Sequence, residues 1–159
     1  MRLKIPMREF QNKTYWIVGA SEGLGRALAI QLAKVGTKVI ISARSEERLI
    51  GLSEEIGSNT MVLPMDVSDR SSVQKAFSKL PKSLDGFIFV SGVYWHMSAS
   101  SWDETKAEEM VDVNLVGAMR CLAHLIPKFI NQGFGHIVLT GSIAGYRGLP
   151  GSVGYCASK

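Results

Sequence analysis

The sequence has few of the features that mark disulfide-rich, membrane or nucleic-acid-binding proteins. Its only two cysteines, Cys121 and Cys156, lie in unrelated contexts, so we expect reduced thiols in a cytoplasmic protein. The basic residues are scattered, and the net charge of +4 gives little support to a nucleic-acid partner. No apolar run approaches the length of a bilayer span and the first residues have no signal-peptide pattern, so we expect no membrane partner.

The composition is that of an ordinary globular domain. The chain has 159 residues, of which 46% are apolar and 20% are charged. This length is enough for one domain with a sizeable core. We find no linker, internal repeat or low-complexity segment, and we therefore expect a single domain over residues 1–159.

Short apolar runs alternate with segments of helical spacing along the chain. The predicted strands are 14–20, 38–43, 59–65, 86–92 and 135–142. The predicted helices are 25–36, 45–57, 69–80, about 103–131 with a break near Asn114, and a last one from about Val153. This alternation predicts an α/β fold, a doubly wound Rossmann-type parallel sheet with strand order 3-2-1-4-5.

A glycine-rich stretch, GASEGLG, joins the first predicted strand to the first helix. Glycines also gather in any tight turn, but this loop lies at the strand end where doubly wound sheets bind dinucleotides. Gly19 permits the turn, Gly23 admits a pyrophosphate close to the backbone, and Gly25 allows close helix–strand packing. The helix N-terminus offers free N–H groups to the phosphates. The predicted cofactor contacts of this loop are Gly19, Ser21, Glu22, Gly23, Leu24 and Gly25.

The end of the second predicted strand favours NADP(H) over NAD(H). The position where an acidic residue would hold the ribose of NAD is Ala43, and Arg44 follows it. An arginine can bind a 2′-phosphate through two hydrogen bonds, although Arg44 as a solvated surface residue is the alternative. Glu22, in the glycine loop, slightly favours NAD(H) instead.

Two further strand ends complete the predicted cofactor site. Asp66, after the third strand, either accepts a hydrogen bond from the adenine amino group or caps the next helix. We also assign Val67 to the site, together with Ser91 and Gly92 after the fourth strand. We assign no metal site.

These features together resemble the short-chain dehydrogenase/reductase family over nearly the whole chain. The resemblance rests on the glycine loop, Asp66, the DVNLVG stretch around Asn114, the IVLTGSIAG stretch around Ser142, and Tyr155 with Lys159. The chain departs from the family pattern at Val18, where threonine is usual, and at residues 89–92, where Asn-Asn-Ala-Gly is usual. Because both changes are apolar, we expect Val18 to pack against Phe89 or Val90 without leaving an unpaired polar group.

The resemblance implies four catalytic residues: Asn114, Ser142, Tyr155 and Lys159. Tyr155 would exchange a proton with the substrate oxygen, and Ser142 would hydrogen-bond that oxygen. Lys159, one helical turn from Tyr155, would favour the phenolate and hold the nicotinamide ribose, so both residues also count as cofactor-binding. Asn114 would hold a water that links Lys159 to solvent.

The implied function is NADP-dependent hydride transfer between the nicotinamide and a small-molecule secondary alcohol or ketone. The alternative is a dinucleotide-binding module or fragment without turnover. In the family, further strand–helix units complete the sheet and the substrate pocket, and the full-length form is implied to be a homo-oligomer. We therefore expect this chain to be an incomplete piece of a longer enzyme, inactive or nearly so by itself.

Overall fold

Five apolar strands form one parallel sheet in the computed structural model, which describes residues 8–159. The strands are β1 (Thr14–Val18), β2 (Lys38–Ser42), β3 (Thr60–Val62), β4 (Gly86–Phe89) and β5 (Ile137–Leu139). Their order across the sheet is β3-β2-β1-β4-β5, so the predicted order is confirmed. Each strand ends earlier than predicted because the chain leaves the sheet to build loops at the carboxyl ends, as at Gly19, where φ is 92°.

Six α-helices flank the sheet within the described residues. They are α1 (Gly23–Lys34), α2 (Glu46–Ile56), α3 (Arg70–Ser78), α4 (Glu104–Val111), α5 (Gly117–Gln132) and α6 (Val153–Ser158). The predicted break near Asn114 is present as a π-helical segment, Asp112–Val116, that joins α4 to α5. Such segments occur frequently at functional sites. Short 3₁₀ turns lie at Ala99–Ser101 and Ile143–Gly145.

The side chains of β1 alternate between two apolar clusters, one on each face of the sheet. Tyr15 and Ile17 belong to the cluster that packs under α1 and α2, whereas Trp16 and Val18 belong to the opposite cluster under α3 and α5. All four are at most 1% exposed. Burial on both faces explains why the central strand is a continuous apolar run rather than an alternating one.

A buried hydrogen-bond chain ties three strands together on one face. The Trp16 Nε1–H donates to the Ser42 hydroxyl oxygen at 2.8 Å, and that hydroxyl donates to the Leu63 carbonyl at 2.6 Å. Trp16 and Ser42 are both fully buried. Because buried polar groups are costly when unpaired, Ser42 fixes the indole and the chain after β3 at the same time.

The continuous helix Glu104–Gln132 corrects one expectation from the sequence. The helix has 29 residues and contains an 18-residue stretch with a mean hydropathy of 1.2, so by length and composition it could cross a membrane, and the expectation that no segment has this character is wrong on that ground. A core helix of a soluble protein meets the same criteria. Here Met110, Val113 and Leu125 lie in apolar clusters of the fold, so the feature is weak evidence for a membrane segment.

Replacing Ser42 tests the buried hydrogen-bond chain. We expect Ser42→Ala to lower the free energy of unfolding by about 1–3 kcal/mol, because it leaves the Trp16 N–H and the Leu63 carbonyl without their partner. Urea denaturation of protein expressed from the complete reading frame measures this. The matched control is Ser78→Ala, an exposed serine that donates to the Lys75 carbonyl, for which we expect almost no change. Equal losses in the two variants would contradict the assignment.

Candidate functional site

The loop after β1 is pressed against the end of β4. A Cβ atom on Gly19 would lie 2.5 Å from the Ser91 nitrogen and 2.7 Å from its Cα, so only glycine fits there. A Cβ on Gly25 would collide with the Gly19 carbonyl oxygen. The Gly19 and Ala20 N–H groups donate to the Ser42 carbonyl at 2.8 and 3.1 Å. The loop therefore runs close over the ends of β1, β2 and β4.

α1 begins directly after this loop, beyond the carboxyl end of the central strand β1. Glu22 is the N-cap residue, but its side chain does not cap the helix. It accepts instead from Arg48 Nη1 at 2.7 Å, across to the first turn of α2. The first turn of α1 contains no acidic residue. Its N–H groups are therefore available to an anion, and the helix dipole favours one.

A pocket runs along the carboxyl ends of β1, β2, β3 and β4. Ten of the predicted cofactor residues line it: Gly19, Ser21, Glu22, Leu24, Gly25, Arg44, Asp66, Val67, Ser91 and Gly92. The structure brings these residues together, whereas Gly23, Tyr155 and Lys159 lie outside the pocket lining. Further lining residues that the sequence analysis did not assign to the site include Arg48, Met65, Val93 and Val113.

Asp66 lies in the pocket and is not the cap of α3. Its Oδ1 accepts from the Ser68 N–H at 2.9 Å and from the Ser68 hydroxyl at 2.7 Å. The cap is Asp69, whose carboxylate accepts from the Ser71 N–H at 2.8 Å. The capping alternative for Asp66 is therefore wrong. The Ser71 hydroxyl and N–H, which both donate to the Asp69 carboxylate, lower the pKa of the Asp69 carboxyl below its usual range.

Gly92 joins the pocket to the predicted catalytic residues. A Cβ on Gly92 would lie 3.2 Å from Asn114 Oδ1 and 3.5 Å from Lys159 Nζ. Asn114 is buried in the π-helical segment, and its amide accepts from the Val93 N–H and donates to the Val93 carbonyl. The same amide donates to the Ser158 hydroxyl at 2.9 Å. Asn114 thus fastens α6 to the chain that follows β4.

Lys159 and Tyr155 lie one turn apart at the end of α6. Lys159 Nζ donates to the Thr140 carbonyl at 3.2 Å and lies 5.8 Å from the centre of the Tyr155 ring. Partial burial lowers the pKa of the Lys159 ammonium below its usual range. The Tyr155 ring packs edge to face with Tyr94, with centroids 5.0 Å apart.

Ser142 follows β5 and begins the 3₁₀ turn that packs on Lys159. Its hydroxyl oxygen accepts from the Ala144 N–H at 3.2 Å, which leaves the hydroxyl proton available. Gly145, in the same turn, lies directly against the backbone of Lys159, because a Cβ there would be 2.5 Å from the Lys159 carbonyl carbon. The turn therefore brings the segment that carries Ser142 beside the end of α6.

Two functional features were not recognised from the sequence. Arg48 lines the pocket because Ser45 caps α2 directly after Arg44, and the helix predicted over 45–57 already placed Arg48 near its start, so the position could have been deduced. Tyr94 packs on Tyr155 and its hydroxyl lies 3.0 Å from the Ser152 hydroxyl. Spacing gave no signal for this contact, because it joins two loops 58 residues apart.

The departures from the family pattern are accommodated in the core. Val18 and Phe89 are 1% and 2% exposed and share one apolar cluster, and the Val90 N–H donates to the Val18 carbonyl at 2.9 Å. The main chains of β1 and β4 therefore remain paired where polar side chains are usual.

Comparison with known proteins agrees with this geometry. The chain is 36% identical over 158 residues to an NADPH-dependent pterin aldehyde reductase of Arabidopsis thaliana, covering 92% of this chain and 63% of the relative. It is 32% identical over 153 residues to the 3-oxoacyl-[acyl-carrier-protein] reductase FabG of Rickettsia typhi, covering 96% and 63%. A solved structure of serine dehydrogenase complexed with NADP+ matches with a TM-score of 0.88 and 28% identity, covering 92% and 60%.

The matched part is smaller than the relatives themselves. The chain spans about 62–63% of the length of the first curated relatives. A family model described as short chain dehydrogenase matches residues 13–159, which is nearly all of the chain. This match shows that the chain belongs to the short-chain dehydrogenase family.

Proposed function

We propose that this chain is the cofactor-binding and catalytic part of an NADP-dependent oxidoreductase that interconverts a secondary alcohol and a ketone. The observation that carries the proposal is the position of Gly92. It lines the dinucleotide pocket, and Asn114 and Lys159 lie against it on the other side. A cofactor in the pocket would therefore end beside the proposed catalytic groups.

The residues of the pocket fit a dinucleotide. Gly19 and Gly25 let the backbone of the loop pack directly against Ser91 and against itself, and together with Gly92 they line the pocket with backbone that a pyrophosphate and a ribose could approach closely. The N-terminus of α1 carries no acidic residue in its first turn and faces the pocket, so its N–H groups would hold the pyrophosphate. Asp66 and Val67 would contact the adenine end, and Ser91 and Gly92 the ribose end.

The preference for NADP is supported by the end of β2. Ala43 and Arg44 both line the pocket, so no carboxylate occupies the position that would repel a 2′-phosphate. The guanidinium of Arg44 can bind the phosphate through two hydrogen bonds. The names of two relatives, one NADPH-dependent and one complexed with NADP+, support the same choice.

The proposed chemistry assigns one role to each catalytic side chain. A nicotinamide bound in the pocket would supply the hydride in reduction and accept it in oxidation. Tyr155 donates its phenolic proton to the carbonyl oxygen in reduction and removes it in oxidation, while the Ser142 hydroxyl donates a hydrogen bond to the same oxygen. The Lys159 ammonium, near the Tyr155 ring, stabilises the phenolate that remains. Asn114 holds α6, and hence Lys159, in place against Gly92.

Arg44 provides the test of cofactor preference. We expect wild-type protein expressed from its complete reading frame to bind NADPH more tightly than NADH. Arg44→Ala should remove most of that difference, which corresponds to roughly tenfold for one charge-assisted contact. Fluorescence titration with each nucleotide measures it. Arg70→Ala, an exposed arginine outside the pocket, is the matched control. Tighter binding of NADH by the wild type would refute the NADP assignment.

Tyr155 provides the test of turnover. We expect Tyr155→Phe to abolish NADPH oxidation with a panel of ketones while NADPH binding stays largely intact, because only the transferable proton is lost. The control is Tyr146→Phe, since Tyr146 is 96% exposed and should tolerate the same change. Residual turnover within about tenfold of wild type would show that Tyr155 is not the acid. A wild-type protein that binds NADPH but reduces nothing in the panel would favour a binding module without turnover.

A further inference from the structure

An exposed ion pair joins two residues that line the pocket. Glu22, in the glycine loop, accepts from Arg48 Nη1 at 2.7 Å, and both side chains line the pocket. Their side chains are 75% and 61% exposed. Ion pairs this exposed contribute little to the stability of the fold, so stabilisation does not account for this contact. Because the pair is exposed, Arg48 is also free to exchange the Glu22 carboxylate for a bound anion.

The charges that line the pocket are balanced. They are two carboxylates, Glu22 and Asp66, and two guanidiniums, Arg44 and Arg48. Glu46 and Glu47, in the same turn of α2 as Arg48, do not line it. A phosphate monoester carries close to two negative charges at neutral pH. Arg44 alone, facing two carboxylates, would leave the pocket net negative before the phosphate arrives, so a second cation is required.

We propose that Arg48 is a second determinant of NADP specificity, held in the pocket by Glu22 and transferred to the 2′-phosphate when the cofactor binds. This inference rests on the proposed function. Ser45 caps α2 through the Arg48 N–H at 3.4 Å, so the first turn that carries Arg48 begins directly after Arg44. In the free protein Glu22 keeps the guanidinium over the pocket. In the complex the phosphate replaces the carboxylate as its partner.

Glu22 then acts as an internal competitor of the phosphate. Because its carboxylate loses Arg48 when NADPH binds but not when NADH binds, it weakens NADPH binding selectively. From the sequence, the Glu22 carboxylate favours NAD slightly, and its competition with the 2′-phosphate for Arg48 gives that effect a physical cause. The pair sets how strongly the protein discriminates, while Arg44 sets the direction of the preference.

The experiment is nucleotide titration of protein from the complete reading frame, with NADPH and NADH measured on each variant. We expect Arg48→Ala to weaken NADPH by about three- to fivefold, a smaller loss than Arg44→Ala causes, and to leave NADH almost unchanged. Arg48→Lys should restore part of the lost NADPH affinity, because lysine keeps the positive charge but cannot donate two parallel hydrogen bonds as a guanidinium does. Glu22→Gln should tighten NADPH by about two- to threefold. The control is Arg26→Ala, which breaks a similar exposed pair with Glu55 outside the pocket lining and should leave both nucleotides unchanged.

The double variant Glu22→Gln with Arg48→Ala separates direct from indirect action. If Arg48 contacts the phosphate, the NADPH-specific loss persists when Glu22 is already neutral. If the loss disappears in that background, Arg48 acts only by neutralising Glu22 and the inference is overturned. Unchanged NADPH affinity in Arg48→Ala, alongside a wild-type NADPH preference that depends on Arg44, overturns the inference and leaves the proposed function standing. A wild type that does not prefer NADPH overturns both.

Discussion

The close contact between Gly19 and the backbone of Ser91 is the constraint on which the site depends. It occurs where β1 and β4 lie side by side. At this point the chain, having added β2 and β3 on one side of β1, begins to add strands on the other side. Because no Cβ fits between the two loops, their backbones meet directly and form a smooth floor. Gly92 follows Ser91 directly, and without a side chain it lets Asn114 and Lys159 lie close to the pocket lining. A side chain at Gly19 would therefore disturb both the cofactor end and the catalytic end.

Apolar packing maintains this contact where polar side chains are usual in the family. Val18 and Phe89 are buried in one cluster, and the strands remain joined through the Val90 N–H and the Val18 carbonyl. Backbone hydrogen bonds thus fix the register of β1 against β4. The side chains of Val18 and Phe89 need only fill the space between them without leaving an unpaired polar atom. This explains how the chain departs from the family pattern beside its cofactor loop and keeps the geometry of the loop.

The sequence predicted the sheet well because β1, β2 and β4 are continuous apolar runs separated by helical segments with clear caps such as Ser45 and Gly57. It predicted the strand ends poorly, since Val90 makes one more backbone hydrogen bond to Val18 after β4 ends, and Val90 and Ser91 then line the pocket. It left Asp66 open as a cap, and only the hydrogen bonds show that Asp69 caps the helix while Asp66 bonds to Ser68. The Tyr94 contact with Tyr155 depends on loop geometry that no local pattern encodes.

The π-helical segment at Asp112–Val116 shows how an irregularity can serve the site. A π segment forgoes the regular hydrogen-bond pattern of the helix, and here it presents the Asn114 amide to two separate parts of the chain. The amide makes three hydrogen bonds, two to Val93 and one to Ser158, which offset the cost of burying a polar side chain. Since Val93 lines the cofactor pocket and Ser158 precedes Lys159, one buried side chain joins the pocket to the helix that carries the proposed catalytic pair. In the proposed site, the alignment of a bound cofactor with Tyr155 and Lys159 would therefore depend on the break in the helix as much as on the residues that would touch the substrate.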